Sequence, residues 1–202
     1  ILNRCYGDDP DTVAEMGRAV AEGLLAGGVL PIIKHVPGHG RAGMDSHLEL
    51  PVVDADRETL AASDFLPFAR LADLPMAMTA HIVYPAIDPD ACATLSPKVI
   101  DVIRQEIGFD GLLMTDDLSM QALSGDFGHR TSTALAAGCD MVLHCNGEPA
   151  EMAAILAETP VLQGDALRRA DAALACRVAP EPFDFDQAVA DFNALMKEDA
   201  HA

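Results

Sequence analysis

Tryptophan is absent from the 202 residues and aromatic side chains amount to 4%. The core must therefore be built from Leu, Val, Ile, Ala and Met, with few large rings. Basic residues are also scarce: 13 Lys and Arg stand against 32 Asp and Glu, a net charge of −19. That balance argues against nucleic acid or an anionic membrane as a partner, because phosphate would be repelled. The acidity otherwise reads as a solvated surface. No apolar run approaches the ~20 residues needed to cross a bilayer, and no signal-peptide pattern is visible. Cysteines occur at 5, 92, 139, 145 and 176, an odd number with no C-x-x-C pair. This argues against a disulfide framework and points to a reducing, cytoplasmic setting. Cys139 and Cys145 lie in an apolar run and are expected to be small core residues.

What is present is half apolar and long enough for one domain with a substantial core. Helix and strand signals alternate. "DDPDTVAEMGRAVAEGLLAGG" offers Asp9 as N-cap and Pro10 at the first helical position. Val13, Met16, Val20 and Leu24 then form an apolar helical stripe, and Gly27 and Gly28 end the helix. "VLPIIKH" follows as a short buried strand. "DFLPFARLAD" is a helix candidate, and "LPMAMTAHIVY" a strand. "SPKVIDVIRQEIG" is a helix capped by Ser96 and stopped at Gly108. "FDGLLMTDD" is a strand, "RTSTALAAG" a helix and "CDMVLHCN" a strand. Helices close the chain at about 149–158, 164–177 and 185–197. Such alternation with near-continuous apolar strands predicts an α/β fold, a parallel sheet covered by helices. Met76, Met78, Met114 and Met120 read as core packing.

Each strand ends in polar residues: Lys34-His35, Thr79 to His81, Thr115-Asp116-Asp117, and His144 to Asn146. In parallel α/β folds, and in (β/α)8 barrels above all, chemistry gathers at those C-terminal ends. About four strands are legible, against eight in a complete barrel. The expected architecture is the later half of a TIM-type barrel, a single domain over residues 1–202.

The densest chemistry lies in "KHVPGHGRAGMDSH", which holds three of the seven histidines on a Gly- and Pro-rich loop. Asp45 and His47 are two apart, so on an extended backbone the carboxylate can orient the imidazole as a general acid/base. The plainer alternative is an Asx turn with His47 exposed. His35, His39, Asp45 and His47 are also suitable metal ligands, although H-x3-H-x5-D-x-H matches no familiar zinc spacing. In "MTDDLSM", Asp116 suits a nucleophile or charge stabiliser, and Asp117 a helix cap. Two unlike groups, one nucleophilic and one proton-donating, are what glycoside hydrolysis requires. Lys34 can donate to substrate hydroxyls. Arg4 is either a surface arginine or a carboxylate or hydroxyl contact. His81 is either a substrate contact at the rim or a hydrogen-bonded structural histidine. No partner is legible for His129, His144 or His201.

Together "KHVPGHGRAGMDSHLELP", "MTAHIVYPAID", "ATLSPKVIDVIRQEIGFDGLLMTDDLSM" and "AAGCDMVLHCNG" resemble the NagZ-type β-N-acetylglucosaminidases of glycoside hydrolase family 3, from Arg4 to about Asn146. The resemblance implies a retaining enzyme that removes terminal β-linked N-acetylglucosamine, for example from GlcNAc-anhydroMurNAc muropeptides in cytoplasmic peptidoglycan recycling. It needs no cofactor or metal. By the same resemblance Asp116 is the nucleophile and His47, assisted by Asp45, the acid/base. Lys34, His35 and Arg4 are substrate contacts. A neutral imidazole base also tolerates an anionic acceptor, so a phosphorolytic relative is conceivable. Family members carry roughly 130 further residues ahead of this region, with the earlier barrel strands. The isolated 202 residues are therefore expected to be unstable or inactive, a non-catalytic sugar-binding piece being the alternative to an enzyme.

Overall fold

In the computed structural model, which describes residues 4–43 and 49–198, the first helix begins where its capping signal sits. Asp9 accepts from the Thr12 amide at 2.8 Å, Pro10 takes the first position, and α1 runs Pro10–Ala26. Its packed face is not the expected stripe. Ala14 and Ala21 are buried, whereas Met16, Val20 and Leu24 remain exposed. Small residues win because they allow close approach: a Cβ on Gly17 would lie 2.9 Å from Leu71 Cδ1. Arg18 seals the contact through Asp73 at 2.5 Å, and Asp11 pairs with Arg70 at 2.6 Å.

Four strands form one parallel sheet: β1 (Ile32–Val36), β2 (Met76–Thr79), β5 (Leu112–Asp117) and β6 (Met141–Leu143), in the order β1-β2-β5-β6. This is the predicted α/β arrangement. The run "LPMAMTAHIVY" does not stay one strand. It breaks after Thr79, and β3 (Val83–Tyr84) pairs antiparallel with β4 (Asp88–Cys92) in a separate two-stranded sheet. The reason is local: Ala80, His81 and Ile82 are all buried, and the chain turns inward to bury them.

The connections are short helices. α2 (Arg57–Thr59) continues as a π-helical turn over Leu60–Asp64 into α3 (Leu66–Arg70). α4 (Pro97–Asp101) continues as a second π-helical turn over Val102–Glu106. Its Ser96 cap accepts from the Val99 amide at 3.2 Å. α5 (Phe127–Ala137), α6 (Pro149–Glu158), α7 (Gly164–Ala175) and α8 (Phe185–Glu198) follow. The main core gathers Leu60, Ile82, Tyr84, Val99, Ile103, Phe109 and Leu113 between helices and sheet. Each such side chain contributes about 1.5–3 kcal/mol of burial.

At the N-terminal end of the sheet an ion cluster binds α7 and the π-helical turn after α4 to the strands. Asp140, just before β6, accepts from Arg104 at 2.7 Å, from the Leu113 amide at 2.9 Å and from Arg169 at 3.0 Å. Arg104 also donates to the carbonyls of Phe109 and Gly111 at 2.9 and 2.8 Å. Asp110 accepts from Arg168 and Arg169, and these hydrogen bonds hold its carboxyl down at about 2.

All five cysteines are free. Cys139 is in the core as expected, but Cys145 is exposed. β6 ends at Leu143, so Cys145 falls on the loop beyond it.

Candidate active site

β1 and β5 both flank β2, so their C-terminal ends face each other across one strand. This brings Lys34-His35 and Asp116-Asp117 together. His35 Nε2 lies 3.5 Å from Asp116 Oδ2. His35 is 7% exposed, and burial lowers its pKa to about 4 despite the pull of Asp116 the other way, with Lys34, His39 and Arg4 adding to the depression. It is therefore neutral at pH 7. Among the described residues its Nδ1 has no hydrogen-bond partner, an unmet polar atom in a buried wall. His39 is also buried, and packs edge-on against His35 with ring centroids 5.3 Å apart; burial lowers its pKa too.

The two aspartates of "TDD" have different surroundings. Asp117 is tied down: its carboxylate accepts from the Ser119 amide at 3.0 Å, the Ser119 hydroxyl at 2.5 Å and the Cys145 amide at 3.1 Å. Partial burial works to raise its pKa, but these hydrogen bonds outweigh that and lower it. Asp117 joins the loops after β5 and β6 and does not cap a helix as the sequence suggested, because a turn over residues 118–123, and no helix, follows β5. Asp116 accepts from the Asp117 amide at 2.9 Å through Oδ1, while Oδ2 faces His35. The carboxylate with the fewer bonds can still bond outward.

Arg4, Lys34 and His35 line one groove of about 960 Å³, together with His39 and Arg41. Its floor is apolar, made of Val13, Val20, Leu24 and Ile33. Lys34 and Arg4 are exposed. His81 does not reach a rim. It is fully buried, with Nδ1 2.7 Å from Thr94 Oγ1 and Nε2 3.0 Å from the Asp117 carbonyl. Of the two readings open for it, the hydrogen-bonded structural histidine is the one with this geometry; a buried ring with both nitrogens engaged has nothing left for a sugar.

Asp45 and His47 lie outside the described residues, but both stems of their loop are held. Tyr84 Oη donates to the Gly38 carbonyl at 2.5 Å, and Arg41 binds Asp64 at 2.7 Å and Ser63 at 3.0 Å. Gly38 has φ +152, and a Cβ there would sit 3.0–3.1 Å from Asp64. On the far side, the Val53 N–H donates to the Val83 carbonyl and the Val83 N–H to the Pro51 carbonyl, both at 2.9 Å. Residue spacing gave no sign of these anchors. It also hid a partner for His144, whose Nε2 lies 2.7 Å from Glu151 on α6. Ser119 was detectable, as the residue two beyond an aspartate that turn chemistry favours. Among the described residues no group of three His, Cys, Asp or Glu side chains is placed to hold a metal. No helix among them is long and apolar enough to cross a membrane.

The chain is 42% identical over 161 residues to a β-hexosaminidase of Chromobacterium violaceum, covering 78% of this chain and 45% of that protein. It is 40% identical over 164 residues to a β-hexosaminidase of Alkalilimnicola ehrlichii, covering 79% and 47%. It thus spans about half the length of the curated relatives it matches. Among solved structures, NagZ of Neisseria gonorrhoeae in complex with N-trifluoroacetyl-D-glucosamine superposes with a TM-score of 0.77 at 32% identity, over 94% of this chain and 54% of that one. CbsA of Thermotoga neapolitana gives 0.76 at 35%, over 87% and 44%. Residues 1–171 match the Glycosyl hydrolase family 3 N terminal domain. With the sheet order, the strand-end carboxylate and these matches in agreement, the chain belongs to glycoside hydrolase family 3.

Proposed function

We propose that this chain carries the catalytic centre of a retaining β-N-acetylglucosaminidase, with Asp116 as nucleophile and His47, oriented by Asp45, as acid/base. The observation that carries the reading is the unequal treatment of two adjacent carboxylates. Asp117 is consumed by three hydrogen bonds, whereas Asp116 stands at the strand end beside a neutral histidine. The β-hexosaminidase relatives and the N-trifluoroacetyl-D-glucosamine complex of NagZ support N-acetylglucosaminides as substrates. Lys34, Arg4 and His35 bind the sugar hydroxyls from the groove. The physiological substrate is the muropeptide GlcNAc-anhydroMurNAc, met in the cytoplasm during peptidoglycan recycling.

The chemistry runs in two displacements. An Asp116 oxygen bonds to C1 as the C1–O bond to the leaving group breaks, and the imidazolium of His47 gives that oxygen its proton. Water then attacks C1, passes a proton to neutral His47 and releases the Asp116 carboxylate. The anion beneath C1 stabilises the oxocarbenium-like charge in both steps. A 5-fluoro-N-acetylglucosaminide that accumulates the intermediate should add one fluorinated sugar mass to the peptide bearing Asp116; a label on Asp117, or none in an active protein, rejects the assignment. The alternative of a metal-dependent hydrolase using His35, His39, Asp45 and His47 predicts loss of turnover in EDTA, and the glycosyl-enzyme reading predicts none.

A further inference from the structure

Behind the strand ends, three buried side chains form a directed hydrogen-bond chain that ends on the backbone of the residue after Asp116. The Asp117 carbonyl can only accept, so His81 Nε2, 3.0 Å away, carries the ring proton. Burial lowers the pKa of His81, which leaves the ring neutral and makes Nδ1 an acceptor. The proton in the 2.7 Å contact to Nδ1 then comes from the Thr94 hydroxyl. That hydroxyl also lies 3.1 Å from the Ala80 carbonyl, but it has one proton, and the shorter contact to the imidazole takes it. Thr94 in turn accepts from Thr79 at 2.8 Å. Thr79, His81 and Thr94 are all fully buried, so water does not compete for the links among them.

The chain reaches Asp116 through Asp117. The Asp117 carbonyl is clamped by His81 and by the Met120 amide at 3.2 Å. Its amide holds Asp116 Oδ1 at 2.9 Å. Rotation of Asp117 would carry the Asp116 carboxylate with it.

We propose that His81 is a positioning residue: as the Nε2–H tautomer fixed by Thr94 and Thr79, it locks the Asp117 backbone and thereby aims the Asp116 carboxylate. This rests on the assignment of Asp116 as nucleophile. Misaiming a reacting group by an ångström costs about 100-fold in rate, so the device matters to turnover without touching sugar.

The test uses the full-length protein. With ¹⁵N-labelled histidine, His81 shows an Nε2–H, unprotonated Nδ1 signature; an Nδ1–H tautomer overturns the proposal. His81→Leu lowers kcat and the rate of 5-fluoro-sugar labelling about 100-fold, counted per labelable site so that unfolded protein does not contribute, with KM little changed. His81→Gln restores a donor toward Asp117 and recovers most of that rate. Thr94→Val, which keeps shape but removes the donor to Nδ1, produces a smaller loss of kcat and a mixed tautomer signal. Unchanged labelling per site in folded His81→Leu, or equal losses in His81→Leu and His81→Gln, overturns the positioning role. Turnover retained in Asp116→Ala instead overturns the nucleophile reading, so the two failures are distinguishable.

Discussion

At the start of β5 and β6, Asp140 accepts from two arginines and a backbone amide, and its side chain is 4% exposed. At the far end of the same sheet, among the described residues, Asp116 accepts from one amide and faces an uncharged histidine whose Nδ1 is unsatisfied. Both ends carry carboxylates and nitrogen groups, yet one end is closed and the other is left open. A buried ion network is stable only when every lone pair and proton is used. The closed end holds α7 and the π-helical turn after α4 to the strands; the open end keeps bonding capacity for a ligand. Degree of satisfaction, more than residue type, separates scaffold from site in this molecule.

The largest expected effect breaks the open end. Asp116→Ala in the full-length protein lowers turnover of a chromogenic N-acetylglucosaminide by about 10⁴-fold or more while thermal stability stays close to that of the parent. A loss under tenfold would remove the contrast. The closed end should answer in the other currency. Asp140→Ala leaves the largely buried Arg104 without its anion, while Arg169 keeps Asp110, and costs about 3–5 kcal/mol of stability in urea unfolding. Activity per folded molecule should hold.

Acidification acts mainly through the buried histidines. His35 titrates at about 4 when folded and at about 6.5 when unfolded. The unfolded chain therefore takes up the proton first. The stability is fully present above about pH 6.5 and is lost as pH falls from there toward 4, by at most about 1.4 kcal/mol per pH unit for one histidine. His39 and His81, also lowered by burial, push the same way. Urea midpoints between pH 7 and pH 4.5 measure this, and a flat profile would contradict neutral histidines at the site. The smallest effect belongs to the loop stem. The Arg41 side chain is 45% exposed, so Arg41→Ala should cost about 1 kcal/mol or less, and any kinetic change should exceed that stability change.

Most helices and strands were legible because their signals are local. Asp9-Pro10 and Ser96-Pro97 start helices where caps and fixed φ angles demand it, and continuous apolar runs mark three of the four parallel strands. The α1 stripe misled because spacing reports which residues share a face, not which face packs. Ala14, Gly17 and Ala21 share another face, and close helix contact favours it. The break in "LPMAMTAHIVY" was hidden for a similar reason: a run of buried residues reads alike whether it stays in a sheet or turns inward. At the site, Asp116, His35 and Lys34 could be nominated from position and residue type, and Arg4 only through the family resemblance. The stems anchored by Tyr84, Arg41 and Asp64 could not, because their partners are distant in sequence.

By itself the sequence determined an α/β chain with parallel strands ending in titratable residues. Capping, chain stiffness and apolar continuity act over a few residues and are written in the chain order. Only the tertiary structure decided which of two adjacent aspartates stays available, and that His81 serves the backbone. Those outcomes depend on hydrogen bonds between groups 28 and 36 positions apart, Cys145 with Asp117 and His81 with Asp117. A bond of that reach exists only once the sheet has brought its strand ends together.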